Sequence, residues 1–154
     1  MNIFVVDNNP KIAARNLCDK HVVKMILESA QMLCSAFENG EAPYKRSYYN
    51  HPCTKWVRES QANYGWLLTH AYGLCEEYFL RYSKIHKSLD AIDWCDNHSH
   101  ELDLPNAGLT PFAQAMPDEY KNDNAVQAYR DYYNGEKAYF AKWKLGTIPE
   151  WYSF

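Results

Sequence analysis

Residues 19–37 read DKHVVKMILESAQMLCSAF, and this stretch decides the fold. At about 100° per residue, Val22, Ile26, Ala30, Leu33 and Phe37 fall on one helical face. Val23, Leu27 and Cys34 flank that face on one side; Met25, Met32 and Ala36 flank it on the other. A helix apolar around most of its circumference belongs in an interior. One strip is polar: His21, Lys24, Glu28, Gln31 and Ser35, at spacings of 3, 4, 3 and 4, with Lys20 at its edge. Burying a lysine, a histidine and a glutamate is costly unless they pair or face a wet cleft. The strip is therefore expected to open onto a cavity, the alternative being a closed ion-pair network that ties helices together.

Working outward toward the start of the chain, Ile3–Val6 is a short apolar run that reads as a strand closed by Asp7. It is too short for a signal peptide or an anchor. Asn9-Pro10 then starts a short helix, with Asn9 as cap and Pro10 in the first helical position. Asp19 is placed to cap the central helix. Asp7, where a strand end feeds a helix start, joins the candidate catalytic residues, although a turn acceptor there is the plainer role.

On the other side, Asn39-Gly40 ends the central helix. Tyr44–Pro52 follows, with Lys45, Arg46, Tyr48, Tyr49 and His51 interleaving basic and aromatic groups. That composition suits phosphates held beside flat rings; a solvated basic loop is the alternative. Thr54 is placed to cap a third helix running from Lys55 toward His86. Unbroken, it would span about 48 Å, too long for a domain whose radius of gyration is about 15 Å, so a bend is expected at Gly65 or Gly73. Ser88–Asn97 reads as a short helix. Gly108–Pro117 reads as an extended partner for the first strand, since a lone strand is unstable. Asn124 or Asp123 caps a last helix. The expected fold is one compact, mainly α domain, residues 1–154, with five or six helices and a minor two-stranded β element.

Composition narrows the function. A net charge of −3 gives no overall basic field, and no segment is long enough to span a membrane. Five cysteines, odd in number and without CxxC spacing, indicate a reduced cytoplasmic protein without a disulfide frame. Asp93, Asp96, His98 and His100 match no strong metal template and read as an exposed acidic loop. No metal or cofactor is called for. Thirteen tyrosines leave room for an aromatic interface and hence for self-association.

Four pieces are expected to converge: Asp7, the Lys20-His21-Lys24 turn, the Lys45–His51 loop and the Arg58–Asn63 turn. Lys20, Lys24, Lys45, Arg46 and Arg58 would hold phosphate, and His21 would transfer a proton with Glu28 beside Lys24. Asn63 with Tyr48 or Tyr64 would orient a base or sugar, and His51, the other residue there whose ordinary pKa suits proton transfer, joins the ligand-binding set. No GxxxxGK[ST], GxGxxG, HExxH or GxSxG pattern occurs. The expected function is acid–base chemistry, centred on His21, on a phosphorylated nucleotide or nucleic-acid component. A non-catalytic sponge for a nucleotide signal and a protein-interaction module are the alternatives.

The stretches DKHVVKM at 19–25, NHPCTKWVRESQANYGWL at 50–67, EEYFLRYSKIHK at 76–87, AMPDEYK at 115–121 and AYRDYY at 128–133 resemble a family of small, mostly helical proteins encoded by tailed bacteriophages. The resemblance covers nearly the whole chain. Its recurrent motifs fall on Asp19, Lys20, His21, Lys24, His51, Pro52, Trp56, Asn63, Tyr64 and Trp66. It implies a protein made in the cytoplasm of an infected bacterium and implies no particular reaction.

Overall fold

The computed structural model describes residues 1–153, which form six α-helices joined by ordered loops. Helix α1 (Pro10–Asn16) starts as its sequence requires, with the Asn9 side chain accepting from the Lys11 and Ile12 amides. Helix α2 (Asp19–Cys34) carries the polar strip. Its cap is Cys18 rather than Asp19, which is the first helical residue. The Asp19 carboxylate instead accepts from Arg81 and from the Lys144 amide.

The expected third helix is two helices. Helix α3 (Pro52–Val57) is capped by the His51 ring, not by Thr54. Helix α4 (Gln61–Tyr82) is capped by the Ser60 hydroxyl, which accepts from the Asn63 amide. The break comes at Arg58–Ser60, because a serine that satisfies an orphan amide restarts a helix better than a glycine ends one. Gly65 and Gly73 both stay helical. Gly73 serves contact: a Cβ there would lie 3.0 Å from the Ala14 Cβ, so its absence lets α1 lie closely against α4. Helix α4 also packs along α2, and α5 (Leu89–His98) packs against both. Helix α6 (Ala125–Tyr132), capped by Asn124, runs on into a π-helical turn at Tyr133–Lys137.

No strand is present among the described residues, so the expected two-stranded element is not formed. The reason lies in Asn2. Its side-chain oxygen accepts from the Ile3 and Phe4 amides, and its amide group donates to the Ala115 carbonyl. Phe4 takes φ of +56°, a left-handed conformation uncommon for a bulky residue, and Val6 N–H turns back to the Phe4 carbonyl. The amides that a strand would offer to a neighbour are thus used locally or by side chains. Residues 3–6 are buried, but as a folded arm rather than a ladder.

Arg81 anchors the junction from which α2 emerges. Buried at 3% exposure, its guanidinium donates to the Leu17 and Arg15 carbonyls and to the carboxylates of Asp19 and Glu77, each at 2.9–3.0 Å. Every donor in that cluster meets an acceptor along α1, α2 or α4, so the start of α2, with Lys20 and His21, is held in place.

Candidate active site

Three residues of the polar strip of α2, His21, Lys24 and Glu28, open onto a cavity of about 660 Å³, whereas Ser35 is buried with its hydroxyl donating to the Gln31 carbonyl. Lys20, His21, Lys24, Met25 and Glu28 form one wall. Met1, Asn2 and Phe4 of the folded arm lie against them, His51 joins from the cap of α3, and Tyr132, Lys137 and Phe140 close the far side. A smaller cavity beside it shares Met1, Lys24 and Glu28 and extends to Gln31 and Tyr48.

Glu28 is the centre of charge. The carboxylate is buried, and Oε1 lies 3.3 Å from the Met1 α-amine and 3.1 Å from the Asn2 amide that donates to it. Oε2 lies 3.7 Å from Lys24 Nζ, whose ammonium is otherwise exposed. Burying a carboxylate demands a cation or several donors, and here the chain's first amine supplies part of that need. The folded arm exists in this form because Asn2 pins it to residue 115 on one side and Glu28 on the other.

His21 does not suit the role expected of it. Its ring stacks on Phe4 at 4.2 Å and shares a 2.6 Å hydrogen bond with the Tyr133 hydroxyl, which also meets the Cys18 amide and thiol. Burial, then the positive charges of Lys137, Lys24 and Lys20, lower its pKa to about 3. The imidazole is therefore neutral at physiological pH and carries no ready proton. His51 is shifted down too, by burial and then by the terminal amine, and its Nδ1 is occupied as acceptor for the Cys53 amide.

The other candidates are distributed as follows. Lys20, Lys24, His21, Glu28 and His51 are brought together, with Tyr48 at the neighbouring cavity. Asp7 lines a different cavity, where it pairs with Arg130 and accepts from the Asn9 amide. Arg46 donates to the Phe37 carbonyl, beyond the C-terminal end of α2, and lines neither cavity. Arg58 donates to the Tyr49 and Thr54 carbonyls and lies 3.7 Å over the Tyr49 ring. Lys45 is exposed and lines neither cavity. Asn63 is fully buried, bonded to Trp56 and to both the amide and hydroxyl of Thr110. Tyr64 is buried with its hydroxyl on the Leu33 carbonyl. The Tyr72 hydroxyl donates toward Asp93 and Asp96, so those carboxylates serve the α4–α5 contact.

Met1, Phe4, Tyr132, Lys137 and Phe140 escaped the reading of the sequence. One signal pointed to the first: a buried Glu28 with only a lysine one turn earlier lacks a strong partner, and some other cation had to reach it. Lys137 and Phe140, more than a hundred residues away along the chain, left no local signal.

In comparisons with known proteins, a family model described as pyrimidine dimer DNA glycosylase matches residues 1–90. No curated protein and no solved structure matches. The matched stretch runs from the folded arm through α1–α4 and contains Met1, His21, Glu28 and His51; Tyr132, Lys137 and Phe140 lie outside it. This match overturns the expected nucleotide-directed acid–base function at His21, and the nucleotide sponge with it, because the family acts on DNA. It carries no indication of a bacteriophage source. Spanning well over half of the 154 residues, it makes the chain a member of the pyrimidine dimer DNA glycosylase family.

Proposed function

We propose that the protein excises damaged pyrimidines from DNA, with the Met1 α-amine as nucleophile and Glu28 as its partner carboxylate. The observation that carries this reading is the 3.3 Å pairing of that amine with a buried carboxylate at the edge of an open, lysine-lined cavity. Amines make good nucleophiles toward sugar carbons and carbonyls when an adjacent group takes their proton. α-Amines as a class titrate two to three units below lysine side chains, which favours a chain terminus in such work near neutral pH.

In the step proposed, the amine lone pair forms a bond to C1′ of the damaged nucleotide. The bond from C1′ to the base nitrogen breaks, and its electron pair leaves with the base. Glu28, still charged while the bond to the base breaks, stabilises the cationic character developing at C1′, and it then takes the proton that the attached amine loses. Glu28 returns that proton to the ring oxygen as the sugar ring opens, the bond from C1′ to that oxygen breaking to leave a hydroxyl and a protonated imine between Met1 and C1′, while the departed base takes its proton from solvent. Lys20, Lys24 and Lys137 hold the phosphates on either side. His21, neutral and stacked beneath Phe4, is a positioning residue that keeps the folded arm against α2.

The test is borohydride trapping with an oligonucleotide carrying one thymine dimer, offered as a single strand and as a duplex. Reduction of the imine should leave a covalent protein–DNA adduct, and peptide mapping should find it on Met1. Adduct on Lys24 or Lys137 would move the nucleophile to that amine. Excision without any adduct would instead favour the second reading that Glu28 supports, activation of a water molecule. No excision in either substrate would overturn the proposal.

A further inference from the structure

The two ends of α2 are held differently. Its start is tied down by the Arg81 guanidinium. Its last residue, Cys34, and the loop that follows meet α5 without an ion pair among the described residues. Phe37 lies edge-on to Trp94 at 4.9 Å, and the Tyr44 and Ser88 hydroxyls share a 3.0 Å hydrogen bond. In the same contact, Cys34 Sγ lies 3.5 Å from Cys95 Sγ of α5, with both side chains buried. The sulfurs need to close by only about 1.5 Å to reach the separation of a disulfide.

The other cysteines are placed differently. The Cys18 thiol accepts from the Tyr133 hydroxyl. Burial pushes the Cys53 thiol up to about 11. Cys75, the least buried of the five, is pushed up to about 12 by burial and then by the carboxylates of Asp93 and Glu76. Cys34 is moved the opposite way, because a hydrogen bond from Cys95 favours its thiolate against the cost of burial. Cys95, which gives up that hydrogen bond if it ionises, is raised by it and by burial. The thiolate is the form that attacks an oxidant, so Cys34 is suited to react first and Cys95 to complete the bond.

We infer that Cys34 and Cys95 are an oxidation site, at which hydrogen peroxide joins the two sulfurs in a reversible disulfide that staples the end of α2 to α5. Peroxide is small enough to reach a buried sulfur through brief local opening of the loop. The Cys34 thiolate, its proton released to solvent, attacks one peroxide oxygen; the O–O bond breaks and the departing hydroxide is protonated to water. The Cys95 sulfur then attacks the sulfenic acid on Cys34. The S–S bond forms, the S–O bond breaks, and the second hydroxide leaves with the Cys95 proton as water, so two thiols are oxidised and one peroxide is reduced to two waters. A bond between residues 61 apart in the chain restricts the unfolded state and so should raise resistance to urea.

The test treats the whole reduced protein with a few equivalents of hydrogen peroxide, blocks the remaining thiols with iodoacetamide in denaturant, and maps peptides without reductant. A Cys34–Cys95 link should appear, two hydrogens lighter than the separate peptides, with the other three cysteines alkylated. A phosphine should remove the link, and the oxidised form should have the higher urea midpoint. Cys75→Ser should change none of this. Cys95→Ser should leave Cys34 as a sulfenic acid that dimedone traps; the map of the wild-type chain decides the matter even if that variant folds poorly. Oxidation of Cys75 while the pair stays alkylated, sulfinic acid on Cys34 without a link, a link to any other cysteine, or a urea midpoint that oxidation does not raise would each overturn the inference.

Discussion

Helix α2 carries two charged clusters of opposite character. At its start, Arg81 spends its guanidinium on two carbonyls and two carboxylates in a sealed junction. About two and a half turns on, Glu28 has the Met1 amine, one amide and a loosely placed Lys24, and it faces open space. Both involve buried charge next to α2, and burial alone would not tell them apart. The first is saturated, so it offers nothing to a ligand. The second sets an amine, a carboxylate and three lysines around an open cavity, the arrangement that the proposed excision needs. Saturation, more than burial or charge, separates the cluster that holds the fold from the one suited to chemistry.

The sharpest way to break this comparison is to neutralise each carboxylate-bearing cluster in turn. Glu28→Gln keeps the shape and one acceptor but removes the charge; excision should fall about 10²- to 10⁴-fold, the scale for losing a proton-transfer group. Single-turnover kinetics should find the loss in the chemical step, with DNA affinity little changed. If excision survives, the open cluster is not the centre of catalysis. Arg81→Met should do the opposite, lowering stability by about 3–5 kcal/mol because two carboxylates lose their shared cation. Urea unfolding measures this; a variant as stable as wild type would show that the sealed junction contributes no stability.

Asn63→Ala sharpens the line between the two classes. This side chain was expected to touch ligand, but it bonds Trp56 and Thr110 in the interior. Leaving those partners unmet should cost about 1–3 kcal/mol, while DNA affinity of the folded fraction stays at the wild-type value.

The pH dependence of stability tests His21. Its native pKa of about 3 lies below the unfolded value of 6.5, so between those limits the unfolded chain binds more protons. Stability should be fully present above pH 6.5 and decline as pH falls toward 3, with a limiting slope of about 1.4 kcal/mol per unit. His70, fully buried and lowered to about 4, adds in the same direction. Urea midpoints at pH 7 and pH 4.5 should therefore converge partly in His21→Gln; an unchanged difference would mean that the ring is not held neutral. The smallest effect is expected for Lys45→Ala. Exposed and away from both cavities, this lysine should change stability by less than about 0.5 kcal/mol.

The sequence alone determined the helical class, the cap at Asn9, the last cap as Asp123 or Asn124, and the edge of α2 with His21, Lys24 and Glu28 that opens to the cavity. These depend on residues within a turn or two of one another, where a 3.6-residue period or a capping side chain is decisive. The spacing of His21, Lys24 and Glu28 therefore placed these three side chains at one cavity, while the family match overturned the chemistry expected of them. Only the tertiary structure decided which groups complete it. Asp7 turns to Arg130, Arg46 and Arg58 are drawn to nearby carbonyls, and the arm at Ile3–Val6 folds on Asn2 instead of pairing as a strand. Met1 reaches Glu28, and Lys137 and Phe140 arrive from the far end of the chain. Such contacts are set by the packing of α1 and α2 on α4 and by competition among acceptors for the same cations, neither of which any local pattern of residues records.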